Sequence, residues 1–402
     1  MVYYIKMATS KRKVIKIEQL KSGMSFTAPV YIDENNVLVR AYETIKKSDI
    51  EKLLKWGIDK VYTDGEEVSV VEEKVQLPQG GAKDLENVKI SKEFEKAKEY
   101  RDEFQKQVFE IGKKLQKNIR SLVERKHFNN HEVLSDALYL AGVVMDYRFF
   151  PILLLGIRIS DDILIQHSIH AALYGGYLGK LINLGKIRVH ELIFSMMIMD
   201  VGMFFIPIEL RKKNYPLTEE EKKIFYNHTL FGFKVLTQDA YVKQNLAIVS
   251  LQHHENFDGT GYPKKLQKED INLMARIAAI ADRYTAMLED RYHRKARIPY
   301  EAMKILLSEE ASHLDPRILR FMVGGLSIYP IGSLVELSNG FKAIVVEGNL
   351  KSPLRPLVKL VFDPKGKHIE ENYFLDLAKE HQITVIKVLD AKEENIDILS
   401  LM

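Results

Sequence analysis

The spacing of apolar positions changes three times along the chain. From Val14 to about Tyr62 the apolar residues come in short runs, VIKI, SFTAPVYI and NVLVRAY, separated by Ser22-Gly23 and Asp33-Glu34-Asn35-Asn36. Alternation of this kind between turn signals predicts small β-hairpins. Ser48 to Trp56 predicts a short amphipathic helix, with Ser48 as N-cap and Gly57 as its stop. Residues 1–75 are therefore expected to form a small α/β regulatory or docking domain without chemistry of its own. Pro78, Gly80 and Gly81 mark a linker that opens a 76–128 segment. Within it, Phe94, Ala97, Phe104, Val108, Ile111, Leu115, Ile119 and Leu122 recur at three- and four-residue steps. That stripe predicts one long amphipathic helix over 93–124. Its length of about four heptads reads first as a homodimer seam, and second as a helix leaning on its own domain.

From residue 129 to about 327 the pattern is helical almost throughout, interrupted at Pro151, Pro207, Asn214–Pro216, the 256–263 loop and Arg297–Pro299. Beyond Tyr329-Pro330 it returns to β-type runs, SLVELSNG, KAIVVEGN, RPLVKLVFD and HQITVIKVLD, punctuated by Asn-Gly, Gly-Asn and Asp-Pro. The expected fold is multidomain and mainly α. An all-α helical domain at 129–327 stands between the small α/β N-terminal domain and a β-rich C-terminal extension at 328–402 that packs on it.

Composition narrows the chemistry. The 402 residues are 46% hydrophobic and 28% charged, with a net charge of only +4. These values suit a soluble globular protein with no global field for DNA or an anionic membrane. The most apolar window, Leu138 to Ile157, contains Asp146, Arg148 and Pro151, so no membrane span is expected, and a cytoplasmic location follows. There is no cysteine, so any metal must be held by imidazole and carboxylate.

Candidate ligands are present. His167, Asp200, His228 and Asp282 each sit in apolar helical sequence, and a buried ionisable group needs a partner or a metal. His253 and His254 are adjacent, and on a regular helix their side chains would point about 100° apart. They can converge only at a helix end, and Gly259, Gly261 and Pro263 supply the bend that follows. On spacing alone this is a mononuclear or dinuclear hydrolytic site.

The stretch HHENFDGTGYP, His253 to Pro263, matches HHExxDGxGYP at every fixed position, and so resembles the HD-GYP family. Other landmarks of that family follow in order: Gln166-His167-Ser168, Asp200-Val201-Gly202 with Ile206-Pro207, and Leu217-Thr218 through His228. They continue with Ala281-Asp282, Asp290-Arg291, Arg294-Lys295-Ala296 and Tyr329-Pro330-Ile331-Gly332-Ser333. The resemblance implies a metal-dependent phosphodiesterase that hydrolyses cyclic di-GMP to pGpG or GMP, using divalent iron or manganese. It implies that Asp200 is the central catalytic carboxylate shared between metals. His228, His253 and His254 would complete one site, and His167 and Asp282 would serve the other. Arg291 and Arg294 would hold substrate phosphate, and Gly261, Tyr262 and Pro263 would line the substrate side of a loop that is also a place for a protein partner.

The chain departs from the family where the name-giving histidine is Met199, the following lysine is Met203, and a glutamate of some members is Ile163. A thioether replaces imidazole poorly at a hard or borderline metal. One site keeps four ligands, the other falls to three, and one or two ions are expected. Met196, Met199 and Met203 are expected on one helical face as core filling. Three readings stay open: an altered and weakened phosphodiesterase, a non-catalytic cyclic di-GMP receptor, and a protein-interaction scaffold.

Overall fold

A computed structural model describes residues 12–22, 24–26, 28–33, 36–39, 45, 47–68, 85–124, 127–290, 295–391, 393–394 and 396–402. The chain divides into two compact units, Met1–Gln79 and Gly80–Met402.

In the first unit the described elements are β1 (Lys13–Lys16), β2 (Ser25–Phe26), β3 (Val30–Tyr31), β4 (Val37–Val39), α1 (Lys47–Lys55), β5 (Lys60–Thr63) and β6 (Glu67–Val68). Four strands form an antiparallel sheet in the order β1-β5-β3-β4, and β2 pairs with β6. Alternation puts Ile15, Val30 and Val61 inside, where they meet Leu53 of α1. Ser48 is the second residue of α1, not its cap, while Gly57 (φ +68°) ends the turn that follows it, as expected.

The second unit begins with α2 (Leu85–Val123), α3 (Asn130–Asp146), α4 (Ile163–Leu181), α5 (Lys186–Met197), α6 (Ile208–Arg211), α7 (Glu219–Tyr226) and α8 (His228–Gln238). It continues with α9 (Gln244–Gln252), α10 (Leu273–Leu288), α11 (Pro299–Ser308) and α12 (Pro316–Leu326). Then come β7 (Leu334–Leu337), β8 (Lys342–Glu347), β9 (Leu357–Phe362), β10 (His368–Asp376), β11 (Val385–Leu389) and α13 (Ile398–Leu401). The five strands make one antiparallel sheet, ordered β10-β9-β8-β7-β11. Its apolar residues join the helices in a single core. Among the described residues no helix is long and apolar enough to cross a membrane.

The long helix forms, and its stripe is used up inside its own unit. Phe94, Ala97, Phe104 and Val108 are completely buried, and Ile111, Leu115, Ile119 and Leu122 nearly so. Phe94 meets Phe149 and Phe374 edge-on at 5.8 and 5.2 Å, and Phe104 meets Phe150 at 6.3 Å. At Gly112 the helix lies so close to Ile159 that an added Cβ would sit 2.4 Å from its carbonyl oxygen. An amphipathic pattern says that a face is covered, not by what, and here the cover is the chain itself. The stripe expected as a homodimer seam through 93–124 is therefore covered by the helical domain, and the described part of the 76–128 segment, from Leu85 on, packs with that domain.

The methionine reading also changes. Met196, Met199 and Met203 are all buried, but they do not share a helical face. Helix α5 stops at Met197, and Val201–Phe205 is a separate 3-10 turn. Replacing Phe104 with alanine is expected to lower the unfolding free energy by about 3–5 kcal/mol, a typical cost for a buried phenylalanine. Urea denaturation measures it, and a Phe104→Ala variant that instead only shifts between monomer and dimer would contradict this packing.

Candidate metal centre

Close backbone packing brings the candidate ligands together. A Cβ at Gly202 would stand 1.8 Å from the His228 carbonyl oxygen and 2.7 Å from the Gly232 nitrogen. Only glycine allows the 201–205 turn to lie this close against α8. One turn earlier, the Ser250 hydroxyl of α9 donates to the Met199 carbonyl at 2.6 Å. These two contacts seat Asp200 between the start of α8 and the end of α9. Helix α9 ends at Gln252, so His253 and His254 fall where the chain leaves the helix, and their rings lie 4.1 Å apart.

Two groups result. The ligand atoms of Asp200, His228, His253 and His254 all lie within 4.8 Å of one another, and so do those of His167, Asp200 and Asp282. Asp200 belongs to both. Hydrogen bonds to backbone settle the tautomers. His228 Nδ1 donates to the Phe225 carbonyl at 2.7 Å, and His253 Nδ1 to those of Val249 and Ser250 at 3.0 Å. A carbonyl can only accept, so the proton sits on Nδ1 and the Nε2 lone pair faces inward. Both Nε2 atoms are buried without a hydrogen-bond partner, and they face Asp200 Oδ1 at 3.8 and 3.5 Å. Lone pairs directed at a carboxylate from this range fit a cation between them. The donor set, imidazole nitrogen and carboxylate oxygen, suits a divalent first-row metal.

Without an ion a proton takes the cation's place, since the facing Asp200 raises His253 despite its burial. Burial alone would raise the Asp200 carboxyl, but the facing His253 and then His228 hold it well below the usual range. Burial would likewise raise Asp282, and the hydrogen bond from His167 holds it low. His254 is pushed well below the ordinary histidine value, first by burial and then by the His253 and His228 rings, which keeps it neutral and able to ligate.

Two residues not anticipated from the sequence support the second group. His167 Nε2 meets Asp282 Oδ1 at 2.7 Å, while its Nδ1 meets Glu289 Oε2 at 2.9 Å. The other oxygen of Glu289 meets His170 Nδ1 at 2.9 Å. A carboxylate behind a ligating imidazole fixes its orientation. Burial would raise Glu289, yet His167 and then His170 hold it at about 2, so it is an anion that binds both rings. The three-residue spacing of His167 and His170 on α4 was the available signal. Glu289 lies one residue past α10 and carries none.

The loop after the histidines is braced internally. The buried Glu255 carboxylate accepts the Lys264 and Leu266 amides at 2.7 and 2.9 Å. Gly259 has φ +83°, the bend expected of it. Gly261 is needed for a different reason, since its Cβ would stand 2.2 Å from the Asn256 nitrogen. Tyr262 lies against the His254 ring at 4.9 Å and stacks on Tyr226 at 3.8 Å, and the Tyr262–Pro263 peptide is cis. Arg291 and Arg294 lie outside the described residues.

Residues 157–318 match the model of the HD domain family, and residues 334–396 that of a KOW domain associated with the HD domain. The cyclic di-GMP phosphodiesterase PA4108 of Pseudomonas aeruginosa is 31% identical over 229 residues, 57% of this chain and 55% of that protein. Residues 157–318 are an HD domain, with motif residues that resemble the HD-GYP family. Similarity extends to the cyclic di-GMP phosphodiesterase PdeB of Borreliella burgdorferi, 27% identical over 215 residues, 54% of this chain and 56% of that protein. The 3'3'-cGAMP-specific phosphodiesterase 2 of Vibrio cholerae is 27% identical over 158 residues, 39% of this chain and 30% of that protein. The chain spans little more than half the length of the first two relatives. Among solved structures, the HDG"Y"P protein Bd1817 of Bdellovibrio bacteriovorus aligns with 78% of this chain and 98% of its own, at 15% identity and a TM-score of 0.47.

Elemental analysis of the purified protein reads the sharing of Asp200 in the HD domain directly. Asp200→Ala is expected to lose all bound metal, whereas His167→Ala and His228→Ala each lose part of it. Glu289→Ala is expected to weaken metal binding about 10–100-fold, the usual effect of removing a carboxylate behind a ligand. Manganese titration calorimetry measures this, and an unchanged affinity would remove Glu289 from the site.

Proposed function

We propose that this chain is a metal-dependent phosphodiesterase acting on cyclic di-GMP, with one four-ligand and one three-ligand metal site. The observation that carries the reading is the buried Asp200 carboxylate shared by two groups, with the unpartnered Nε2 atoms of His228 and His253 facing it. His228, His253, His254 and Asp200 would hold one ion, and His167, Asp282 and Asp200 the other. Ions bound there supply Lewis acidity toward a phosphodiester and its attacking water. The residues of the chain do the rest. Backbone carbonyls keep His228 and His253 in the ligating tautomer, Glu289 orients His167, and Tyr262 walls the histidine pair. The names of the relatives support cyclic di-GMP as substrate, and the 3'3'-cGAMP-specific relative from Vibrio cholerae puts 3'3'-cGAMP beside it. Iron or manganese fits the nitrogen and oxygen donors, and a cytoplasmic location suits an intracellular dinucleotide.

Met199 favours a weakened form of this activity. It stands where the resemblance expects a ligating histidine, and it is fully buried in the apolar core and brings only a thioether. Protein loaded anaerobically with iron(II) or manganese(II) is expected to convert cyclic di-GMP slowly to pGpG or GMP, as followed by chromatography. Tight binding without product would instead make the chain a receptor, and neither binding nor product would leave a scaffold. Met199→His is expected to raise metal content and turnover together. A rise in neither would show that the missing histidine is not the limiting defect.

A further inference from the structure

A second feature of the same unit is unassigned by any of this. A cavity of about 850 Å³ lies between the C-terminal part of α2, the start of α4 and the 203–217 stretch. It is within the size range of pockets that hold small organic ligands, roughly 300–1,000 Å³. Three of its wall residues adjoin the candidate metal ligands, although none of the ligands lines it. Ile163 opens α4 one turn before His167, Met203 donates its amide to the Asp200 carbonyl at 2.9 Å, and Phe225 accepts from His228 Nδ1. The cavity is therefore a neighbour of the centre.

Its lining combines cations with aromatic rings. Arg120 comes from α2 and Arg211 and Lys212 from the end of α6, while Phe204 and Tyr215 add rings, each with one face already covered, by Arg211 at 5.8 Å and by Lys213 at 4.2 Å. The acidic residues of the lining are engaged elsewhere. Asp162 caps α4 through the Leu164 amide at 2.9 Å, and Asp161 is paired with Arg158. Lys213 is likewise bound to Glu221. Lys113, Lys117 and Arg120 recur one turn apart on α2 and line a shallower groove of about 370 Å³ that shares Arg120 with the cavity. Guanidinium groups match phosphate oxygens in a forked geometry, and exposed aromatic faces stack on nucleobases. Neither feature alone would select a ligand, but together they suit a molecule that is both anionic and planar.

We propose that this cavity seats one base and the adjoining phosphate of a cyclic dinucleotide whose other phosphodiester lies at the Asp200 centre. The assignment rests on the function proposed above and adds to it the surface that distinguishes a dinucleotide from a simple phosphodiester. Arg120 and Tyr215 are exposed, so their substitution leaves the core untouched.

The test uses the full chain loaded with manganese. Arg120→Glu and Tyr215→Ala are compared with Lys387→Glu, a charge control on β11. For each, kcat/KM is measured for cyclic di-GMP and for bis(p-nitrophenyl) phosphate, and the affinity for cyclic di-GMP is measured by calorimetry. The expected result is a ratio of the two kcat/KM values that falls at least tenfold in both cavity variants, chiefly through KM for the dinucleotide. The dissociation constant should rise by a similar factor, with metal content and the control unchanged. Wild-type protein that binds cyclic di-GMP while both variants bind it equally well overturns the cavity assignment and leaves the function standing. Wild-type protein that binds no cyclic di-GMP overturns both. Should the protein bind but not turn over, the calorimetric comparison alone decides.

Discussion

Everything at the centre depends on how closely two backbones approach at Gly202 and His228. A single methyl group at Gly202 would lie at 1.8 Å from the His228 carbonyl oxygen, well inside any tolerable contact. That approach sets the depth at which Asp200 enters the helical domain, and with it the distance from its carboxylate to three histidines on two other helices. The Ser250 bond to the Met199 carbonyl sets the height of the same segment against α9. Burying a carboxylate has a large desolvation cost, and here it is offset when a proton or a metal cation sits between Asp200 and the imidazoles that face it. The site is thus held by packing of main chain against main chain, and the ligating side chains inherit their positions from it.

Much of this could be read from residue order, and the parts that could not have a common cause. The pair His253–His254 declared itself because adjacent imidazoles are useful to one metal only where a helix ends, and α9 does end at Gln252. The separate histidines and aspartates declared themselves because charge in an apolar run demands a partner. The β-type runs after residue 330 form a sheet, and the helical run before them forms helices. What stayed hidden were relations set by tertiary packing. Glu289 is an ordinary polar residue just past a helix until the fold lays it beside His167 and His170. The three methionines look co-facial on a helix that in fact breaks at Ile198, before Asp200. The stripe on α2 announces a covered face but does not name the cover.

The sheet after residue 330 shares the core of the helical unit. Phe374 of β10 packs on Phe94 near one end of α2, and Asn372 donates to Glu95 at 2.6 Å. Lys359 of β9 reaches the Leu401 carbonyl at 2.9 Å. Toward its other end the same helix contributes Arg120 to the cavity beside the metal ligands. One helix therefore touches both the sheet and the wall of the candidate substrate pocket.

That helix has a further consequence during synthesis. Glu95 and the residue it finally meets are 277 positions apart. At the usual pace of about 5–20 residues per second, the first turns of α2 wait on the order of 15–55 s for the strand that covers them. Throughout that interval only the first turns of the stripe lack their final cover, because Phe104 can already pack on Phe150. The misleading resemblance of α2 to a dimer seam is then a physical hazard at that end, because a nascent chain exposing such a patch is able to pair with another or to engage a chaperone.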